Sequence, residues 1–102
     1  MFIIAMGIEK PSPTYRRLQK RLAALDWVCP GSVQKRHQLG SRRLSHPIYQ
    51  WTRKVKGKTV TVNLTLDQYQ RLRAAIANQR RLTRLLHAMQ KLTIRWALRE
   101  KC

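Results

Sequence analysis

Acidic residues are scarce in this chain. Asp and Glu number 4 among 102 residues, against 22 Lys and Arg, and the formal net charge is +18. The four acids are scattered along the sequence, at Glu9, Asp26, Asp67 and Glu100. Because no two of them are placed for acid–base work or for holding Mg²⁺, and because Gly-rich phosphate loops are absent, we expect a protein that is not an enzyme.

Cysteine is also rare, and its positions favour neither a disulfide framework nor a metal site. The two cysteines are Cys29 and the last residue, Cys102. A terminal cysteine is usually a free thiol, which favours a reducing cytoplasm, although a disulfide between the two stays open. Cys29, His37 and His46 lack the regular spacing of a tetrahedral zinc site. We therefore expect no metal and no other cofactor.

Long apolar runs are missing too. The apolar start, Met1–Ile8, is too short to span a bilayer. It has no basic residues before it and is followed by Glu9-Lys10-Pro11 rather than by a small-residue cleavage site, which argues against a signal peptide. We expect no membrane partner, and a single domain over residues 1–102 in which residues 1–11 form a disordered or sheet-edge segment.

The few prolines and glycines mark where a first helix begins and ends. Ser12 followed by Pro13 is typical of an N-cap with proline at the first helical position. Apolar residues then recur at helical spacing, at Tyr15, Leu18, Leu22 and Leu25. This pattern predicts a helix from about Pro13 to Asp26, which the turn at Cys29-Pro30-Gly31 follows.

The middle of the chain has the pattern of a small antiparallel sheet. We expect an edge strand at Ser32–Gln38 and a loop over Leu39–Pro47, where glycine, serine and proline accumulate. Two strand-like runs follow, Ile48–Val55 and Thr59–Leu64, separated by Lys56-Gly57-Lys58. A short connection with a central glycine predicts a hairpin, and the alternation of apolar and polar residues predicts that one of its faces packs inward.

The last third of the chain predicts a long helix, over residues 65–100. Thr65 and Gln68 have the spacing of a capping box, and no proline or glycine follows them. Gln79 interrupts the apolar stripe, so one long helix or two shorter ones stay open. The stripe continues to Trp96, farther than the short hairpin can cover, and this favours a homodimer or a protein partner. The predicted fold class is α+β: a short N-terminal helix, a small antiparallel sheet and a long C-terminal helix.

The excess of positive charge indicates a polyanionic partner. Arg accounts for 14 of the 22 basic residues, and its planar guanidinium matches phosphates and guanine edges. The predicted contacts fall on the edge strand and loop, on the hairpin and on the long helix. They are Lys35, Arg36, Arg42, Arg43, Arg53, Lys54, Lys56, Lys58, Arg81, Arg84, Lys91 and Arg95. We expect a non-catalytic protein that binds the phosphate backbone of duplex DNA or structured RNA.

Several short motifs from Pro30 onward occur in a familiar order. They are Pro30–Arg36, the hairpin segment Lys56–Thr59 and the helical segment Ile76–Leu82. Over about Pro30–Arg95 the chain resembles a family of short basic bacterial proteins of unknown function that are often encoded beside transposases. Many relatives carry a cysteine cluster that looks like a metal knuckle, whereas the equivalent segment here, His37–His46, has no cysteine. The family implies no known activity, so the resemblance supports the fold more than the function. An accessory factor of a mobile element or of a nucleoprotein complex is one role that stays open.

A second function class stays open on the sequence alone. A structural assembly subunit of a ribonucleoprotein, or a ribosome-associated protein, would have a similar composition. In that case the long helix would serve as the dimer or partner-docking element. Loss of copurified nucleic acid at high salt would favour the phosphate-binding function over the structural assembly function.

Overall fold

The computed structural model describes residues 10–99 and has the α+β fold class that the sequence predicts. The elements are α1 (Pro13–Ala23), β1 (Ser32–Leu39), β2 (Arg42–Val55), β3 (Lys58–Leu64) and α2 (Leu66–Leu98). The expectations for residues 1–9 lie outside the described residues. The described residues divide into two compact units, a sheet unit of residues 25–83 and a helical unit of residues 10–24 with 84–99.

Helix α1 begins where the sequence predicts. Ser12 Oγ accepts a hydrogen bond from the Tyr15 N–H at 3.2 Å, and Pro13 occupies the first turn. The helix ends at Ala23, three residues before the predicted end. Beyond it the chain belongs to the sheet unit, where Asn78 Nδ2 donates to the Trp27 carbonyl at 2.9 Å. Cys29 N–H also donates to the Ala75 carbonyl, at 3.2 Å, and residues 25–30 have no regular secondary structure. Because these two hydrogen bonds hold the segment in the sheet unit, the helical spacing of Leu25 does not extend the helix.

The predicted loop over Leu39–Pro47 is wrong, because most of it belongs to β2. The connection between β1 and β2 is only Gly40-Ser41, with Gly40 at φ +60°. The two strands pair next to this turn, lose register, and resume pairing at Arg36 opposite Ile48. Pro47 lies in the irregular stretch, where its missing N–H removes no ladder hydrogen bond. A strand containing proline is therefore tolerated here.

The second hairpin and the edge strand are confirmed, with small changes at their ends. The turn between β2 and β3 is the two-residue Lys56-Gly57, and both residues have positive φ, +50° and +80°. Two consecutive positive φ angles are typical of a type I′ turn, whose twist matches that of paired strands. Lys58, predicted as part of the connection, already pairs with Val55. The sheet is antiparallel in the order β1-β2-β3.

One face of the sheet packs against the first half of α2, as the alternation predicts. The rings of Tyr49 and Tyr69 lie 4.8 Å apart between centroids. Cys29, Ala75 and Ile76 form the buried centre of this unit. Val33, Trp51 and Leu72 pack around it. This contact places the opposite sheet face away from the helix.

Helix α2 is a single continuous helix of 33 residues, so Gln79 does not divide it. Its capping box is confirmed: Thr65 Oγ1 accepts from the Gln68 N–H, and Gln68 Oε1 accepts from the Thr65 N–H. No helix within residues 10–99 is both long enough and apolar enough to cross a bilayer.

The helical unit combines α1 with the second half of α2. Leu85 and Met89 are buried, and Tyr15 of α1 lines two clefts together with residues of α2. The chain thus supplies part of the cover for the far end of the apolar stripe, which the sequence argument assigned to a partner. Trp96 nevertheless stays 45% exposed.

Candidate nucleic-acid interface

The sheet face that α2 does not cover is composed almost entirely of polar side chains. Strand register aligns the residues of this face across the three strands: Ser32 with Thr52 and Thr61, and Gln34 with Gln50 and Asn63. Lys54 and Thr59 form a further pair, and Arg36 lies opposite Ile48, the apolar member of this face. We call this surface the polar face. Besides Ile48, it consists of Ser32, Gln34, Arg36, Gln50, Thr52, Lys54, Thr59, Thr61 and Asn63.

Hydrogen bonds between side chains fix several groups of the polar face. Gln50 Nε2 donates to Asn63 Oδ1 at 3.1 Å, across β2 and β3. The hydroxyls of Thr52 and Thr61 lie 3.1 Å apart and share one hydrogen bond. Such cross-strand pairs hold their side chains in defined positions before any ligand arrives.

The sequence-based contact set missed the uncharged residues of the polar face. Thr59, Thr61 and Asn63 were predicted to point away from the packed face, but only charged residues were counted as contacts. The signal was present in the period-two alternation of β3 and of the second half of β2, where every residue facing away from the core is polar.

The basic residues of the two hairpin turns lie at opposite ends of β2. Arg42 and Arg43 follow the Gly40-Ser41 turn, whereas Lys56 and Lys58 surround the other turn. The basic residues of the predicted loop and those of the hairpin tip are therefore two separate groups. They lie at the two ends of β2, and Lys58, opposite Val55, belongs to the face that packs against α2.

Other predicted contacts divide between the two faces of the sheet. Arg36 and Lys54 lie on the polar face, and Arg36 Nε donates to Gln34 Oε1 at 3.2 Å. Lys35 lies opposite Tyr49, on the face that packs against α2, although its side chain is exposed.

Arg53 belongs to the packing of the sheet unit rather than to its cationic surface. Its guanidinium lies 4.0 Å from the centroid of the Trp51 ring, a cation–π arrangement on the face toward α2. Its Nη1 is buried and has no hydrogen-bond partner. Trp51 in turn donates from Nε1 to the Pro30 carbonyl at 3.0 Å. We therefore leave Arg53 out of the proposed contact set.

The helical cations are exposed but belong to different units. Arg81 lies in the sheet unit, and Arg84, Lys91 and Arg95 lie in the helical unit. The last three are spaced by seven and four residues, so they share one side of α2. Arg95 also lines a cleft with Tyr15.

No acidic residue occurs between Asp26 and Asp67, so the entire sheet is free of negative side chains. Asp67, in the first turn of α2, forms an exposed ion pair with Arg71, with 2.9 Å between carboxylate and guanidinium. The cations at both turns therefore have no acid in their own strands to neutralise them. Their field is available to an external anion.

Cys29 is a core residue of the sheet unit. It is a free thiol, and burial raises its pKa, an effect that the positive charge of Arg53 partly opposes. A raised pKa keeps the thiol protonated and unreactive, which suits a packing role. Within the described residues no three His, Cys, Asp or Glu side chains come together as metal ligands.

Comparisons with protein-family models, with curated proteins and with solved structures give no match. The resemblance of Pro30–Arg95 to a family of short basic bacterial proteins stays a prediction. The functional interpretation accordingly depends on the geometry and charge of the chain itself.

Proposed function

We propose that this protein binds nucleic acid without catalysis, mainly through the phosphate backbone of a duplex or of a structured RNA. The observation that carries the proposal is an acid-free sheet with cations at both ends of its central strand. Arg42 and Arg43 at one end, and Lys54, Lys56 and Lys58 at the other, can each hold phosphates. The net charge of +18 supplies the long-range attraction.

The proposed cellular setting is a reducing compartment. The free thiol of Cys29 in the core suits a reducing cytoplasm. The family resemblance adds the proposal that the protein is an accessory factor of a mobile element or of another nucleoprotein complex.

The salt dependence of binding tests the proposed function. Neutralising about six phosphates predicts a slope of about −5 in a plot of log affinity against log salt concentration for B-DNA. The measurement is a fluorescence-anisotropy titration on a short DNA duplex and on a structured RNA over a range of salt concentrations. A slope near −1 on both ligands would contradict the proposal, because so few released counterions exclude extended contact with phosphates.

A further inference from the structure

We propose that the polar face enters the major groove of B-form DNA and that the Gln50–Asn63 pair contacts adenine there. This inference rests on the proposed function and narrows it in two respects. The proposed ligand is duplex DNA rather than nucleic acid in general. The uncharged residues of the polar face are added to the basic residues as contacts.

The shape of the sheet suits this groove. The major groove of B-DNA is about 12 Å wide and admits a two-stranded β-ribbon. Strands β2 and β3 pair without interruption from Tyr49 opposite Leu64 to Val55 opposite Lys58, and β3 is an edge strand. Because α2 covers only the other face, this ribbon can approach DNA with its polar side chains leading. The major groove of A-form RNA is deep and narrow, and side chains cannot read it.

The hydrogen bond between Gln50 and Asn63 orients one acceptor and one donor for a base. Gln50 Nε2 is engaged with Asn63 Oδ1 at 3.1 Å. Gln50 Oε1 and Asn63 Nδ2 have no partner within the described residues, so they remain to face a ligand. Adenine presents an N6 amino donor and an N7 acceptor in the major groove. The pair can therefore accept from N6 and donate to N7.

The charged residues of the polar face lie toward its ends, and its centre is uncharged. The rows containing Gln50 and Thr52 are uncharged across all three strands, whereas Arg36 and Lys54 lie on the same face toward its ends. A neutral centre allows close approach to base edges, and cations at the margins suit the phosphates that border a groove. A protein partner for this face would need an acidic rim to match the same margins, so the cations favour DNA.

Replacing a single base atom tests the inference without altering any phosphate. Wild-type affinity is measured for an AT-rich DNA duplex, for the same duplex with 7-deazaadenine at every adenine, and for the RNA duplex of the same sequence. Losing N7 should weaken binding at least about fivefold, the lower end expected for one bidentate base contact. The RNA duplex should also bind more weakly than the unmodified DNA.

Protein variants then assign the effect to the pair. Gln50→Ala/Asn63→Ala should bind the normal and the deaza duplex equally, with an unchanged salt slope. Gln70→Ala, on the exposed surface of α2, is the matched control and should discriminate as the wild type does. Circular dichroism checks that the variants are folded, and the wild-type comparison stands independently of them.

The outcomes separate the inference from the proposed function. Salt-dependent binding with equal affinity for the normal and the deaza duplex would overturn the major-groove inference and leave backbone binding intact. Discrimination that persists in Gln50→Ala/Asn63→Ala would overturn the assignment to this pair. Absence of salt-dependent binding to every duplex would overturn the proposed function itself.

Discussion

At the scale of single residues, side-chain direction decides which cations are available to a ligand. The period-two alternation of β2 places Arg53 on the same strand face as Trp51, yet it was counted among the phosphate contacts as one of the basic residues around the hairpin. Its guanidinium lies on the Trp51 ring instead. Strand alternation could have predicted this placement, but the distance to the ring follows from packing that sequence spacing does not encode.

Gly31 lies at a position of the sheet unit where the backbone conformation and the nearby atoms leave no room for a side chain. Its φ is +95°, and a Cβ there would lie 2.5 Å from the Thr52 carbonyl oxygen and 2.8 Å from Trp51 Nε1. Gly31→Ala should therefore lower the free energy of unfolding by about 1–3 kcal/mol or more, measured by urea denaturation. Gly40→Ala is the control, because its φ is also positive but a Cβ there meets nothing within 4 Å. Equal losses of stability in the two variants would contradict a steric clash between a Cβ at residue 31 and Thr52 or Trp51.

At the scale of elements, the sequence predicted helix ends and turns correctly where the interacting residues are close in sequence. The N-cap at Ser12, the capping box at Thr65 and the Lys56-Gly57 turn all depend on residues within three positions of each other. The first half of β2 was missed because Ser45 and Pro47, with Gly40 shortly before them, are typical of a loop. Only its pairing with β1 makes it a strand.

The sequence favours the basic residues of the loop and hairpin tip over those of the long helix as the phosphate contacts, and charge reversal compares the two surfaces. Lys56→Glu/Lys58→Glu should leave the fold intact, because the turn depends on positive φ at Lys56 and Gly57 rather than on charge. The variant should weaken duplex binding across all sequences and make the salt slope shallower by about two units, one for each lost phosphate contact.

The matched variant reverses charges on α2 instead. Arg84→Glu/Lys91→Glu changes the same number of charges on the helical unit. Its effect on the salt slope should be smaller than that of the hairpin variant. If the helical variant weakens binding more while the hairpin variant has no effect, the contact surface lies on α2 and not on the sheet.

At the scale of the whole molecule, the net charge favours a polyanionic partner, and the incompletely covered helix α2 favours a protein partner. The basic residues behind the net charge of +18 repel one another, so a bound polyanion should stabilise the folded state. In the helical unit, Ile94, Trp96 and Leu98 remain exposed despite α1. The sequence predicted partner docking from the length of the stripe, but the cover supplied by α1 could not be read from periodicity.

The exposed end of α2 predicts self-association. Ile94 and Leu98 are exposed and lie one turn apart on the same side of α2, and Trp96 is 45% exposed. Burying these apolar side chains between two copies would release water from them. Sedimentation equilibrium at high salt should show a dimer, and Trp96→Glu should shift the equilibrium towards the monomer. A wild type that stays monomeric at high concentration would contradict the prediction.

The most direct measurement for the central claim compares a normal DNA duplex with one of the same sequence whose phosphates are replaced by uncharged methylphosphonates. Base edges are retained in the second duplex, while the charges are removed. If the acid-free sheet and its basic turns bind the phosphate backbone, the affinity at low salt should fall by at least about 10³-fold, and the salt dependence should nearly disappear. Equal affinity for the two duplexes would contradict backbone binding outright.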